Sequence, residues 1–190
     1  MPASLALLAW SLLPTAAAAG LSNDACASLV PPALAARVTA DFSAYQLPSS
    51  DDAGEGRNAA LNASGSWPCP FVVLGDFDGN GTLDRALLLK SRQGGNAGNP
   101  RLIGALNNNG QWQVTLSEDW PLALGDSELV PKEAGFYQRE EAIKQPVEQL
   151  DQLASLQTDY ASFTAGKMGG QFAIYALVNG KWQKLTLNEQ

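Results

Sequence analysis

The chain has 190 residues, 45% of them hydrophobic, and a formal net charge of −7. That length suits one domain with a substantial core, and the acidic balance argues against nucleic acid and anionic membrane surfaces as partners. The absence of histidine removes the usual general base, the Ser-His and Cys-His nucleophile pairs and imidazole metal ligation together.

The chain begins MPASLALLAWSLLPTAAAAG. Its apolar stretch, Leu5 to Leu13, is too short to span a bilayer, and the small residues Ala16 to Ala19 then offer a cleavage site. Residues 1–19 read as a signal peptide, with the departure that no Lys or Arg precedes the apolar stretch. Residues 20–190 read as one exported domain, periplasmic or secreted. No second hydrophobic segment reaches membrane length, so the expectation is a protein not embedded in a membrane. In an exported chain, Cys26 and Cys69 make a natural disulfide. Closing a loop of that length stabilises by roughly 3–4 kcal/mol in the chain-entropy picture.

VPPALAARVTADFSAY, residues 30–45, predicts a helix. Pro31 and Pro32 suit its first turn, and Leu34, Val38 and Phe42 recur at helical spacing. The next stretch, 46–68, is polar and rich in Gly and Ser, a long loop. From Cys69 onward the pattern is β. FVVLGDF and RALLLK flank an aspartate-rich turn, RLIGAL and QWQVTLSE flank NNNG, and QFAIYALV and KWQKLTL flank Asn179-Gly180. Asn-Gly between apolar runs signals a hairpin, because both turn residues tolerate positive φ. The hairpins Ala105–Leu116 and Ala176–Leu187 share Ala-Leu, Asn-Gly, Trp-Gln and Thr-Leu. The second has an additional residue between Gln183 and Thr186, which predicts a bulge near Lys184. EQLDQLASL, residues 148–156, reads equally as a helical turn or an edge strand. The expected class is α+β: an N-terminal helix packed on a mainly antiparallel sheet built of hairpins, one of which carries a metal loop.

That loop is GDFDGNGTLDRALLL, Gly75 to Leu89. A hard cation such as calcium takes six to eight oxygens, and ligand-type residues at every second position can wrap one. With Asp76 as position one, Asp78 is three, Asn80 five, Thr82 seven and Asp84 nine. The side chains of Asp76, Asp78, Asn80 and Asp84 would turn inward and Thr82 would offer its backbone carbonyl. Gly79 and Gly81 allow the tight backbone. Position twelve is Leu87, where an EF-hand has Glu, so Asp84 must complete the shell. The competing reading is a merely solvated Asp/Asn/Gly turn. Without an ion the carboxylates repel one another, which loosens the hairpin or raises the pKa of one of them.

DFDGNGTLDRA resembles the strand–loop–strand calcium sites of FG-GAP and VCBS repeats, matching at Asp76, Asp78, Gly79, Gly81 and Asp84, with Asn80 in place of a more usual Asp. A wider resemblance is to a group of small exported bacterial proteins that carry one such motif. It is carried by AYQLPSSDD, by the stretch Pro68 to Leu89 and by the closing GKWQ, Gly180 to Gln183. The resemblance implies export, a calcium loop and no established activity.

Glu118-Asp119 and Glu140-Glu141 are the available carboxylate pairs. Neighbours on a strand point to opposite faces, so neither pair converges and an enzyme is not expected. Trp112, Trp120 and Trp182 lie on or near hairpins. They either fill the core or form an aromatic patch for a protein or glycan partner in the periplasm or cell envelope. The expected function is a calcium-binding interaction or inhibitor module, with a structural envelope protein as the alternative and a metal-dependent hydrolase behind both.

Overall fold

The run Ala86-Leu87-Leu88-Leu89 dictates the layering. A computed structural model describes residues 24–53, 69–93, 98–138 and 155–187; the leader segment, Glu140-Glu141 and most of the loop before Cys69 lie outside them. In it, β3 (Asp84–Ser91) is buried from Asp84 through Leu89. A strand whose consecutive residues are all buried must be covered on both faces.

Residues opposite one another across a ladder share a face, so the register assigns the cover. The strands are β1 (Tyr45–Gln46), β2 (Val72–Gly75), β3, β4 (Arg101–Asn108) and β5 (Gln111–Asp119). They form one antiparallel sheet in the order β1-β3-β4-β5, with β2 also on β3. The face with Arg85, Leu87 and Leu89 meets the N-terminal segment, where Arg85 Nε donates to the Leu29 carbonyl at 2.7 Å. The face with Ala86 and Leu88 meets a second antiparallel sheet. Its strands are β6 (Ser127–Lys132), β9 (Ser162–Lys167), β10 (Phe172–Val178) and β11 (Lys181–Leu187), in the order β11-β10-β9-β6. A ribbon of β7 (Gly135–Gln138) and β8 (Ser155–Thr158) lies on that sheet's outer side, where Leu156 packs with Ile174, Ala176 and Leu185.

The class is therefore mainly β, which corrects the α+β expectation. Among the described residues the α-helices are one turn, α1 (Ala25–Ser28), and the ten-residue α2 (Pro32–Asp41). The helical spacing of Leu34 and Val38 is real and both are buried, but the hairpins also supply a second sheet. That second sheet, and not the helix, is the main partner of the first. No described helix is long and apolar enough to cross a membrane. Of the ambiguous stretch 148–156, Ser155 and Leu156 open the strand Ser155–Thr158 and residues 148–154 lie outside the described residues; Cys26 is bonded to Cys69, with both buried.

Both Asn-Gly turns form as expected, with Asn109 at φ 52°, Gly110 at 90°, Asn179 at 51° and Gly180 at 72°. The expected bulge is misplaced. The β10–β11 register runs without a break from Phe172↔Leu187 to Val178↔Lys181, and the shift falls instead in the other hairpin. Gly104 pairs with Leu116 while Ala105 pairs with Val114, leaving Thr115 as the extra residue. Period 2 breaks there. Trp112 and Val114 share the face of Arg85, whereas Leu116 and Glu118 share that of Gly104 and Leu102. One strand thus supplies side chains to both layers. The bulge is pinned from the second sheet by Trp182, whose Nε1–H donates to Thr115 Oγ1 at 2.9 Å. The Trp182 ring fills the space above Gly104, where an added Cβ would lie 2.9 Å from Trp182 Cζ2.

Deleting Thr115 should force one half of β5 onto the wrong face. The expected loss is roughly 3–5 kcal/mol, the scale of exposing two core side chains. Thr115→Ser, which keeps the residue count and the acceptor oxygen, should stay within about 0.5 kcal/mol of wild type. Urea unfolding of both variants measures this.

Candidate metal centre

The loop 76–83 joins β2 to β3, and the pair Gly75↔Asp84 closes it. Its first residues continue the strand alternation. Phe77 turns inward and is fully buried, while Asp76 and Asp78 on either side remain partly accessible. Phe77 meets Phe163 at 5.5 Å and Trp182 at 5.7 Å between ring centroids, and Phe163 stacks on Tyr175 at 5.2 Å. An aromatic wedge driven between the sheets thus fixes the backbone that carries the two aspartates. Gly75 makes room for it: a Cβ there would sit 2.6 Å from the Phe77 ring.

Asp76, Asp78 and Asp84 converge, each offering a carboxylate oxygen with all three atoms within 4.8 Å of one another. No lysine or arginine pairs with any of them among the described residues. Backbone N–H groups partly offset the repulsion. Asp76 Oδ1 accepts from Gly79 at 2.8 Å and Asn80 at 3.0 Å, and its Oδ2 accepts from Gly81 at 2.9 Å. Gly79 and Gly81 have φ of 75° and 83°, the left-handed backbone that aims these amides inward. Asp78 accepts from the Asn80 amide N–H and side chain, each at 3.1 Å. Asp84, fully buried, accepts from Phe77 at 2.8 Å and Asn107 at 2.7 Å.

Asn80 and Thr82 stand differently. Asn80 Oδ1 accepts from the Thr82 N–H at 2.8 Å and from its hydroxyl at 2.6 Å, while Asn80 Nδ2 donates to Asp78 and, at 2.9 Å, to the Asn107 carbonyl. The Asn80 amide thus lies against the carboxylate group with its oxygen directed at Thr82. The Thr82 hydroxyl also reaches the Asn107 carbonyl. Asn107 is the residue that sequence reading missed. It donates to Asp84, receives Asn80 and Thr82, and so straps the loop to β4. These contacts use its backbone N–H and carbonyl, which no side chain announces; the Asn107 side chain serves the hairpin turn instead, its Oδ1 accepting from the Gly110 N–H at 2.7 Å.

Burial drives the Asp84 carboxyl up to about 6; the N–H groups of Asn107 and Phe77 oppose this, and the charges of Asp78 and Asp76 add to it. Arg85 does not neutralise it directly. Its guanidinium donates to the carbonyls of Leu29, Leu83 and Asp84. The donor set is all oxygen: the chain has no histidine and both cysteines are in the disulfide. Such a set fits a hard cation rather than a soft one.

Glu118 and Asp119 do diverge. Glu118 accepts from the Tyr175 hydroxyl and from Lys184 Nζ at 3.1 Å, whereas Asp119 pairs with Arg101. Comparison with known proteins gives no match to a family model, a curated protein or a solved structure.

Asp84 makes the metal-free protein less stable as pH rises. Its folded pKa of about 6 exceeds the ordinary 3.8, so between these values the folded state holds more protons than the unfolded state. The expected loss is about 2 kcal/mol from about pH 4 to pH 6, out of about 3 kcal/mol between well below and well above the two values. Denaturation in chelator across that range, wild type against Asp84→Ala, isolates this component. A saturating cation, which binds the ionised carboxylate, should abolish it.

Proposed function

We propose that the loop binds calcium and that the protein is an exported, calcium-held interaction module without catalytic activity. The observation that carries this reading is the convergence of Asp76, Asp78 and Asp84 in a loop anchored by Phe77, with no lysine or arginine in a salt bridge to any of them among the described residues. Three carboxylates held together without a counter-charge are a standing electrostatic cost, and a divalent ion removes it. The six-to-eight-fold, flexible coordination of calcium suits carboxylates that already share hydrogen bonds with the backbone; magnesium demands a stricter octahedron. Asn80 and the Thr82 carbonyl are the further ligands of this proposal. Recruiting the Asn80 oxygen requires its amide to turn away from Thr82. The likeness of DFDGNGTLDRA to FG-GAP and VCBS loops belongs to this proposal and supports the same ion.

The buried disulfide supports an oxidising compartment such as the periplasm or exterior, in keeping with the leader-like first nineteen residues. The divergence of Glu118 and Asp119, each already paired, supports a binding role over hydrolysis.

Calcium at a hundred times its Kd should stabilise the protein by about 2.7 kcal/mol, a rise in Tm of roughly 5–10 °C for a chain of this size. Calorimetric titration should show one site, lost in Asp76→Ala and Asp84→Ala. Unchanged heats in both variants would end the calcium reading.

A further inference from the structure

We propose that residues 159–161 couple the metal loop to the β7–β8 ribbon, with Tyr160 as the positioning residue that holds the loop in its metal-binding shape. This inference rests on the calcium reading of the loop and names how that site is regulated. Tyr160 lies in the connection between β8 and β9 and is 45% exposed. Its ring sits directly on the loop. A Cβ added to Gly79 would stand 2.2 Å from Tyr160 Cε1, 2.3 Å from Cζ and 2.6 Å from Cδ1, so no side chain fits at position 79 while the ring is seated. Gly79 is thus required twice, for its φ of 75° and for the approach of the ring.

The next residue holds the other end of the same arc. The Ala161 N–H donates to the Asp76 carbonyl at 3.2 Å, and a Cβ on Gly75 would lie 3.0 Å from Ala161 Cβ. Within the arc, the Gly79 N–H donates to Asp76 Oδ1 at 2.8 Å. Residues 160 and 161 therefore touch the loop backbone on both sides of Asp78, at the two residues whose hydrogen bond aims the Asp76 carboxylate.

The connection is braced from the ribbon. Thr158, the last residue of β8 and buried, donates its hydroxyl to the Tyr160 carbonyl at 2.6 Å, and its Oγ1 accepts from the Tyr160 N–H at 3.3 Å. Thr158 pairs with Gly135 of β7. Two residues beyond Ala161, Phe163 packs against the Phe77 wedge. The loop and the ribbon are thus joined through packed and hydrogen-bonded contacts over a few residues.

Charge sets the sign of the coupling. Asp78 and Asp159 line one cleft of about 320 Å³, which Tyr160 also lines. Without an ion the loop carboxylates repel one another and Asp159 adds to the repulsion. Spreading of the loop draws the Gly79 backbone off the ring. A divalent cation removes that repulsion, so the metal-bound loop is the one on which Tyr160 is seated. By linkage, whatever the seated ring contributes to calcium affinity, calcium returns to the seating of the ring.

The test uses the full chain. Calorimetric titration with calcium compares wild type, Tyr160→Ala and Tyr160→Phe, and amide hydrogen exchange of the wild type is followed with and without calcium. Tyr160→Ala should weaken calcium binding about five- to tenfold, the lower part of the range for coupled sites. Tyr160→Phe should bind within about twofold of wild type, because ring carbons make the contact. Calcium should slow exchange of the Tyr160 and Ala161 amides by at least about fivefold, and by more than it slows the Met168 amide beyond the other end of β9. A ring that only stabilised the fold would change the calcium-free Tm and leave the calcium Kd as it is. Equal calcium affinity in wild type and Tyr160→Ala would therefore overturn the coupling and leave the calcium reading standing. So would exchange at Tyr160 and Ala161 that calcium slows no more than at Met168, a measurement that needs no variant to fold. Tyr160→Phe as weak as Tyr160→Ala would overturn the assignment to the ring contact. No calcium heat in the wild type would end the calcium reading itself, and the coupling with it.

Discussion

A carboxylate with no access to solvent is the constraint around which this molecule is arranged. Asp84 is the first residue of the most deeply buried strand. Leaving its charge unpaired in that position would cost several kcal/mol. The fold supplies two backbone N–H groups from different places: Phe77 in the same hairpin and Asn107 in the next. Asp84 therefore does more than line a metal loop. Through its two oxygens it fastens the loop to β4, and the same ladder positions that bury it also set the register of β3 against both neighbours. Hydrogen bonds of this kind hold the geometry, but they leave the net charge of the Asp76, Asp78 and Asp84 group unbalanced.

Phe77 explains how so polar a turn keeps one shape. An isolated Asp-Gly-Asn-Gly segment loses little when it moves. Here each side of the aromatic wedge continues a strand alternation that sends carboxylates outward, so motion of the aspartates requires extracting a ring from between Phe163 and Trp182. The second sheet thus preorganises the first sheet's loop. Trp182 takes part in both devices that matter most, the wedge and the bulge at Thr115.

Much of this was legible in residues whose chemistry is local. The Asn-Gly turns announce themselves because few other pairs adopt positive φ twice. Ala86–Leu89 reads as doubly buried because it lacks any polar alternation, and the parity of Asp76, Asp78 and Asp84 reads as a converging group. The illegible parts are non-local. Nothing in QFAIYALV states that it forms a sheet apart from the one containing RLIGAL, so a reading from sequence leaves the helix before Cys69 as the sheet's partner and gives α+β where the fold is mainly β. The bulge shows the same limit. An inserted residue is visible in the comparison of the two hairpins, but which hairpin is irregular depends on the partner above it. The Gly104 gap under Trp182 decides that, and Gly104 has no signature of its own. Asn107 stays hidden because its side chain does serve the turn, accepting from Gly110, while the strap to the loop is made by backbone atoms that any residue would carry.

Arg85 connects features that otherwise look separate. Its side chain spans from the Leu29 carbonyl, next to the disulfide-bonded α1 segment, to the carbonyls of Leu83 and Asp84 at the end of the metal loop, with its guanidinium carbon 5.8 Å from the centre of the Trp112 ring. Burial lowers the pKa of this guanidinium, and the nearby Asp84 charge raises it. A guanidinium is planar, remains charged and holds several acceptors in a fixed fork, which a lysine cannot reproduce. The Cys26–Cys69 bond keeps the Leu29 acceptor in place, Leu29 restrains Arg85, and Arg85 in turn restrains both the loop backbone and the indole. The disulfide, the carboxylate group and the tryptophan are therefore parts of one mechanical unit. Arg85 is the residue through which a change at any one of them reaches the others.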